Sequence, residues 1–360
     1  NRWSFSRVRE YMPTTGVRRG TGPASPLAPG RPLPDLSFPE STGRAVSITA
    51  FLERSYTDSF IVVAGDGAVL SERYRRDLAP SSLHLSMSMA KSVTAATCAA
   101  LVAEGRIDPA GLVTDYLPEL AGTAYAGATI EHLLDMRSGV AFSEIFDDPN
   151  SDMTRFDMAS GWRPMRDEPR LPRDVPSLIA TLRTLEAPHG SRFSYRSIET
   201  DVLALCLERA GGQPFASLVS TRVWEPMGTE SDGAFIVDTS GYALAQAGFN
   251  ATLRDWARFG LLHLHGGWFN GKQILPTTWF DRIEQARSSL ATGHRVAGEA
   301  LSYANKIWLP QTSPGVMLIT GAFGQLIYVD CQADMVMVKL SSWNSIDRPD
   351  LRDDTWLMAR

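Results

Sequence analysis

Ser88 and Lys91 constrain this chain more than any other pair of residues, because a serine followed three positions later by a lysine at a helix start can be a nucleophile beside its base. Positions three apart share a helix face, so the hydroxyl and the amine project into the same space. From Val93 to Val102 apolar or small residues recur at helical spacing, and Gly105 stands where a helix commonly stops. The spacing places Ser88 in the first turn of a largely buried helix. Unpaired N–H groups and the positive dipole end there favour an oxyanion forming beside the serine.

The lysine is informative in its own right. The chain carries 31 arginines and only four lysines, Lys91, Lys272, Lys306 and Lys339. A cationic position would ordinarily be filled by arginine under that bias, yet arginine cannot give up its proton near neutral pH, whereas a buried lysine can.

With 360 residues, 44% of them hydrophobic and 21% charged, the chain can bury a large core as one domain or two interleaved ones. Net charge is −5, and the only basic cluster is Arg73, Arg75 and Arg76, so neither nucleic acid nor an anionic membrane is an expected partner. No apolar run approaches the length of a membrane span. Cys98, Cys206 and Cys331 lie far apart and read as buried thiols, which points to a reducing, cytoplasmic setting. The chain opens at Asn1 without methionine, which leaves a removed leader open.

Residues 1–42, rich in Pro, Gly, Arg and Ser, read as an extended arm wrapping a surface. A helix is expected over 45–54, then a hairpin of strands 60–64 and 68–74 joined through Gly65-Asp66-Gly67. Helical patterns follow at 130–136, 175–185, 198–210, 215–223 and 253–265. Strand patterns return at 304–309, 316–320, 326–329 and 335–340. Strands on both sides of a helical stretch suggest an α+β chain: a discontinuous sheet domain, 1–131 and 250–360, with an all-helical domain inserted over 132–249. The irregular segment 142–173 is long enough to be functional.

Two later segments could complete a site around Ser88. Phe193-Ser194-Tyr195 precedes a helix start and could project a phenol toward Lys91, or Tyr195 could simply pack. Gly321-Ala322-Phe323-Gly324 lies between strands, where glycine lets a backbone N–H approach a ligand, though a plain hairpin turn fits equally.

The order of Ser88-Met89-Ala90-Lys91, Leu133-Leu134-Asp135-Met136-Arg137-Ser138-Gly139, Phe193-Ser194-Tyr195 and the run from Gly248 to Gly260 resembles the class C β-lactamase-related serine hydrolases. Within them the chain is most similar to 6-aminohexanoate-dimer hydrolases and related carboxylesterases, from about residue 45 onward. The resemblance implies a β-lactamase/transpeptidase-like fold: an antiparallel sheet flanked by helices, with the active site in the cleft beside the helical insert. It implies Ser88 as nucleophile, Lys91 as base, Tyr195 as proton relay, and the N–H groups of Ser88 and Ala322 as oxyanion donors. No metal or organic cofactor is expected. The expected partner is a small ester or linear amide substrate, and a homodimer is compatible with this reading.

Two departures bear on substrate. Ile319-Thr320-Gly321 stands where penicillin-recognising relatives carry a cation before Thr-Gly, which argues against β-lactam turnover and leaves Ile319 and Gly321 as apolar substrate neighbours. Ser197 replaces the asparagine of the Tyr-x-Asn element. In the nylon-oligomer branch the long loop carries an acidic residue and a mobile tryptophan, which correspond to Asp157, for a substrate ammonium, and Trp162, for closing the cleft. Phe146 stands where amide-cleaving relatives carry a tyrosine, so esters are favoured over amides. The competing expectations are a D,D-peptidase or β-lactamase, and a catalytically silent binding protein of the same fold. Gly266-Gly267-Trp268-Phe269-Asn270-Gly271-Lys272-Gln273 nearly matches a phosphate loop but ends in Gln273, and reads as a turn.

Overall fold

The computed structural model describes residues 2–75, 77–168 and 171–360; Arg76 of the basic cluster, and Pro169 and Arg170 of the long loop, lie outside them. A nine-stranded sheet organises the molecule. Its strands are β1 (Ala28–Pro29), β2 (Thr57–Ala64), β3 (Ala68–Tyr74), β4 (Ala291–Val296), β5 (Glu299–Ala304), β6 (Ile307–Pro310), β7 (Val316–Gly321), β8 (Gln325–Asp330) and β9 (Met335–Ser341). They lie in the order β4-β5-β6-β7-β8-β9-β2-β3-β1, antiparallel except for the short parallel pairing of β1 with β3.

Alternation along the strands sorts the two faces. Ile61, Val63, Ile319, Ile327 and Val336 belong to the main core, whereas Phe60, Val62, Leu318, Leu326 and Tyr328 belong to a second cluster on the opposite face. Six helices matter for the site: α1 (Ile48–Arg54), α2 (Ala90–Ala103), α3 (Ile198–Gly211), α4 (Leu253–Leu264), α5 (Thr277–Ser289) and α6 (Pro349–Ala359). The second cluster is closed by Phe51 and Leu52 of α1 and by Leu351, Trp356 and Met358 of α6. On the main face α4 presses so closely that a Cβ at Gly260 would stand 2.4 Å from Val336 Cγ1. Each aliphatic side chain fully buried in this way stabilises by about 1.5–3 kcal/mol.

The segment 132–249, expected to be all helical, also supplies a strand. Gly233–Ile236 pairs with Thr14–Val17 and with Phe249–Ala251, and the latter pairs with His84–Leu85 in a separate four-stranded sheet. The reason is local: Gly233-Ala234-Phe235-Ile236 is short and buried throughout, too brief to show a period by which strand and helix could be told apart. The arm 1–42 is partly strand, contributing to three sheets, and Arg2 reaches Asp58 at 2.5 Å. The single strand expected at 304–309 is a hairpin, with Asn305 and Lys306 at positive φ turning β5 into β6. Among the described residues no helix is long and apolar enough to cross a membrane.

Candidate active site

Ser88 lies two residues before the first residue of the helix, on a 3-10 turn spanning Met87–Met89 that runs into α2. Two features fix that turn. Ser86 N–H and Oγ–H both donate to the Phe249 carbonyl, at 2.9 and 2.7 Å, and Met87 takes a left-handed φ of 49°. A left-handed methionine costs of order 1–3 kcal/mol and persists because the pairing of His84–Leu85 with Phe249–Ala251 holds the chain before it and the buried helix α2 holds the chain after it. The run around Phe249 seats the Ser88 turn, and its helix start is capped by Thr252, whose Oγ1 accepts from the Asp255 N–H at 3.1 Å.

Helix α2 is buried from Ala90 through Leu101, and its small residues let it sit against α3. Lys91, on its first turn, is 1% exposed. Its Nζ is 2.8 Å from Ser88 Oγ and 2.9 Å from the Gln246 carbonyl oxygen. Burial pushes the amine down to about 7; the charge of Lys306 lowers it further, while Glu144 and Asp201 pull it up. A substantial share of Lys91 is therefore neutral near pH 7, the form that can accept the Ser88 proton.

Tyr195 meets the same pair. It lines one cavity with Ser88, and its ring centroid stands 5.1 Å from Lys91 Nζ. The ring stacks on Trp308 at 5.9 Å and 13° and meets Tyr303 edge-on at 6.0 Å. Burial raises the phenol well above its ordinary range and the Glu144 charge adds to that, so Tyr195 stays protonated as a donor.

A cavity of about 550 Å³ opens on these groups. Its lining includes Ser88, Tyr195, Glu144, Phe146, Ser197, Gly321 and Ala322. Gly321 is required by space alone: its φ is −141°, but a Cβ would stand 2.4 Å from the Ser86 carbonyl oxygen. Phe323, just beyond, takes a φ of 61° and donates its N–H to the Ile346 carbonyl at 2.9 Å, which shapes the loop carrying Ala322. Among the described residues no cluster of His, Cys, Asp and Glu could hold a metal ion.

Three expected substrate neighbours are placed elsewhere. Asp157 is not part of the lining; its Oδ2 accepts from Arg163 Nε at 2.9 Å, and burial raises its carboxyl. Trp162 packs against the core beside that pair, also outside the lining. Ile319 is fully buried on the core face of β7, because alternation turns it away from Leu318 and Thr320, which do line the cavity. Two carboxylates do line the cavity, Asp347 and Glu144, and Oε1 of Glu144 accepts from the Ser197 N–H. Glu144, Trp308 and Gln246 were not singled out from the sequence. An acidic residue near the start of the irregular loop was the only signal for Glu144; Gln246 acts through its backbone, which no side-chain pattern reveals.

Known proteins share this arrangement of the chain. The beta-lactamase family model matches residues 48–359. The 6-aminohexanoate-dimer hydrolase of Paenarthrobacter ureafaciens is 36% identical over 350 residues, covering 96% of this chain and 86% of that protein. Esterase EstB of Burkholderia gladioli is 27% identical over 222 residues, covering 56% and 53%. A solved structure from Bacillus anthracis, assigned as a 6-aminohexanoate-dimer hydrolase, superposes with a TM-score of 0.88 at 29% identity, over 99% of this chain and 92% of that one. A match along nearly the whole chain, and not over one motif, is what places it: the chain belongs to the beta-lactamase family and is a serine hydrolase.

Proposed function

We propose that the chain hydrolyses small carboxylic esters through an acyl-enzyme on Ser88, with linear amides such as 6-aminohexanoate oligomers as slower substrates. The observation that carries this is the 2.8 Å contact of Ser88 Oγ with an amine whose pKa is held at about 7. Neutral Lys91 takes the Ser88 proton as Oγ bonds to the ester carbonyl carbon. The Ser88 and Ala322 N–H groups receive the oxyanion at the mouth of the cavity. As the tetrahedral adduct collapses, Tyr195 gives its proton to the departing alkoxide and is refilled from Lys91. Water then attacks the acyl carbonyl by the same route in reverse, releasing the acid and restoring the Ser88 hydroxyl.

Ester preference is supported by Phe146, which lines the cavity and offers no hydrogen to a leaving amine. The amide reading is supported by the likeness to the Paenarthrobacter enzyme; with Asp157 engaged by Arg163, an ammonium end would meet Glu144 instead. The decisive experiment is labelling with a fluorophosphonate, with the adduct mapped by peptide mass, beside turnover of p-nitrophenyl acetate. Labelling on Ser88 and loss of both signals in Ser88→Ala are expected. Folded wild-type protein that takes no label would overturn the proposal in favour of a silent binding protein.

A further inference from the structure

Ser88, Tyr195 and Ala322 form only part of the cavity lining. Another part, its apolar arm, belongs to the cluster on the face of the sheet that α6 covers, and is made of Val296, Leu301, Leu318, Leu326, Trp343 and Trp356. Every one of these side chains is under one tenth exposed, so this wall has the composition of a protein core and yet encloses open space. Charge enters only at the outer rim, where Arg295, Asp347 and Arg352 are exposed. Those groups are already engaged: Arg352 Nη1 is 2.9 Å from Asp347 Oδ2, and Arg295 Nε donates to the Gly298 carbonyl at 2.8 Å.

Trp308, on which Tyr195 stacks, belongs with Thr320 and Ala322 to the same lining as Ser88 and the apolar arm. A space lined in this way gains little from water, and a hydrocarbon that fills it gains roughly the transfer energy of its own surface. An ionised chain end in the same place would be stripped of water with no partner among the wall residues.

We infer that the apolar arm takes the hydrocarbon part of the ester, so that the enzyme selects esters bearing an unbranched apolar chain over those bearing a one- or two-carbon group or a charged terminus. This rests on Ser88 being the nucleophile. It adds that the length and polarity of the substrate are read by β4, β7, β8 and α6, far in sequence from Ser88 and Lys91. The chain is bound on whichever side of the scissile bond faces the arm, and the gain ends where it meets the charged rim.

Two ester series test this in the wild-type protein: p-nitrophenyl esters from acetate to octanoate, and acetate esters of alcohols from ethanol to octanol. In one of the two, kcat/KM should rise about fourfold per methylene, from the transfer energy of a buried methylene, and then level off. The series that rises assigns the side of the bond. Val296→Asp puts a carboxylate on the apolar wall and should cut the octanoate-to-acetate ratio, or its alcohol-side equivalent, at least fivefold, while Val296→Ala changes it less than twofold. If the aspartate variant does not fold, the wild-type series decide. Flat or falling kcat/KM in both series, with Ser88 still labelled by the fluorophosphonate, overturns this inference and leaves the esterase proposal standing. An unlabelled Ser88 overturns both.

Discussion

Lys91 Nζ sits between the Ser88 hydroxyl and the backbone carbonyl of Gln246, 155 positions away, at 2.8 and 2.9 Å. A neutral amine has two hydrogens and one lone pair. If one hydrogen is given to the Gln246 carbonyl, the lone pair can face Ser88, so this carbonyl orients the base as well as anchoring it. No substitution at Gln246 removes that acceptor, because it belongs to the main chain.

The pH profile follows from the same amine. Its pKa is depressed to about 7, and only the neutral form is competent, so kcat/KM should rise with pH through about 7 and then level off. The Glu144 carboxylate favours the ammonium form, so Glu144→Gln should move the acid limb to lower pH. A limb that stays in place, or moves upward, in a pH–rate series on p-nitrophenyl acetate would count against Glu144 as the charge that Lys91 senses.

Tyr195→Phe keeps the stack on Trp308 and removes only the hydroxyl. A loss of about 10²–10⁴ in kcat with little change in KM is expected for a lost proton donor. A rise in KM with kcat preserved would mark the tyrosine as a binding surface and no more.

Gly321→Ala should damage the site without unfolding the chain. The new methyl meets the Ser86 carbonyl oxygen at 2.4 Å, so the end of β7 and the nucleophile turn must separate. Overpacking of this kind costs about 1–3 kcal/mol. The checks are a lower Tm by calorimetry and at least a tenfold loss in kcat/KM for esters.

Phe146→Tyr would restore a hydroxyl to the cavity wall. The ratio of ester to aminohexanoate-dimer hydrolysis should fall, since an amine leaves poorly without a proton donor and an alkoxide less so. A ratio that holds or climbs would detach Phe146 from substrate preference.

Lys339 is fully buried in β9, with Nζ 2.6 Å from Ser341 Oγ, and burial lowers its amine to about 7, while Asp58 pulls it up. The unfolded chain holds that proton up to about 10.5, so between about 7 and 10.5 the folded state binds fewer protons and its stability rises with pH. Below about 7 the cost of the buried charge is present in full. Lys339→Met should therefore stabilise the protein at pH 6 more than at pH 9, read as the change in urea midpoint relative to wild type at each pH. A gain that is equal at both, or larger at pH 9, would refute the sign.

How much of this the sequence carried differed by element. Long periodic segments were legible: the strands around 60, 70, 316, 326 and 335 and the helices beginning at 198 and 253 are present with small shifts of boundary. Helix α5 was missed, since only Trp279, Phe280, Ile283 and Ala286 interrupt a mostly polar run and give a weak stripe, and α6 was missed as well. At the site, Ser88, Lys91 and Tyr195 meet as their motif order implies, because a helix turn and a loop before a helix are local constraints. Asp157 and Ile319 lie outside the cavity lining for non-local reasons: Arg163 engages the first, and strand alternation turns the second into the core. The scarcity of lysine held more than was taken from it. Lys306, buried and pushed down to about 8, and Lys339 obey the same rule as Lys91.

Only Lys272 of the four lysines is exposed. Among lysine side chains an amine-directed reagent meets only this one on the folded surface, so lysine tethering or dye-tagging is directed to Lys272. Acylation spreading to the other three becomes a chemical gauge of how often the interior opens.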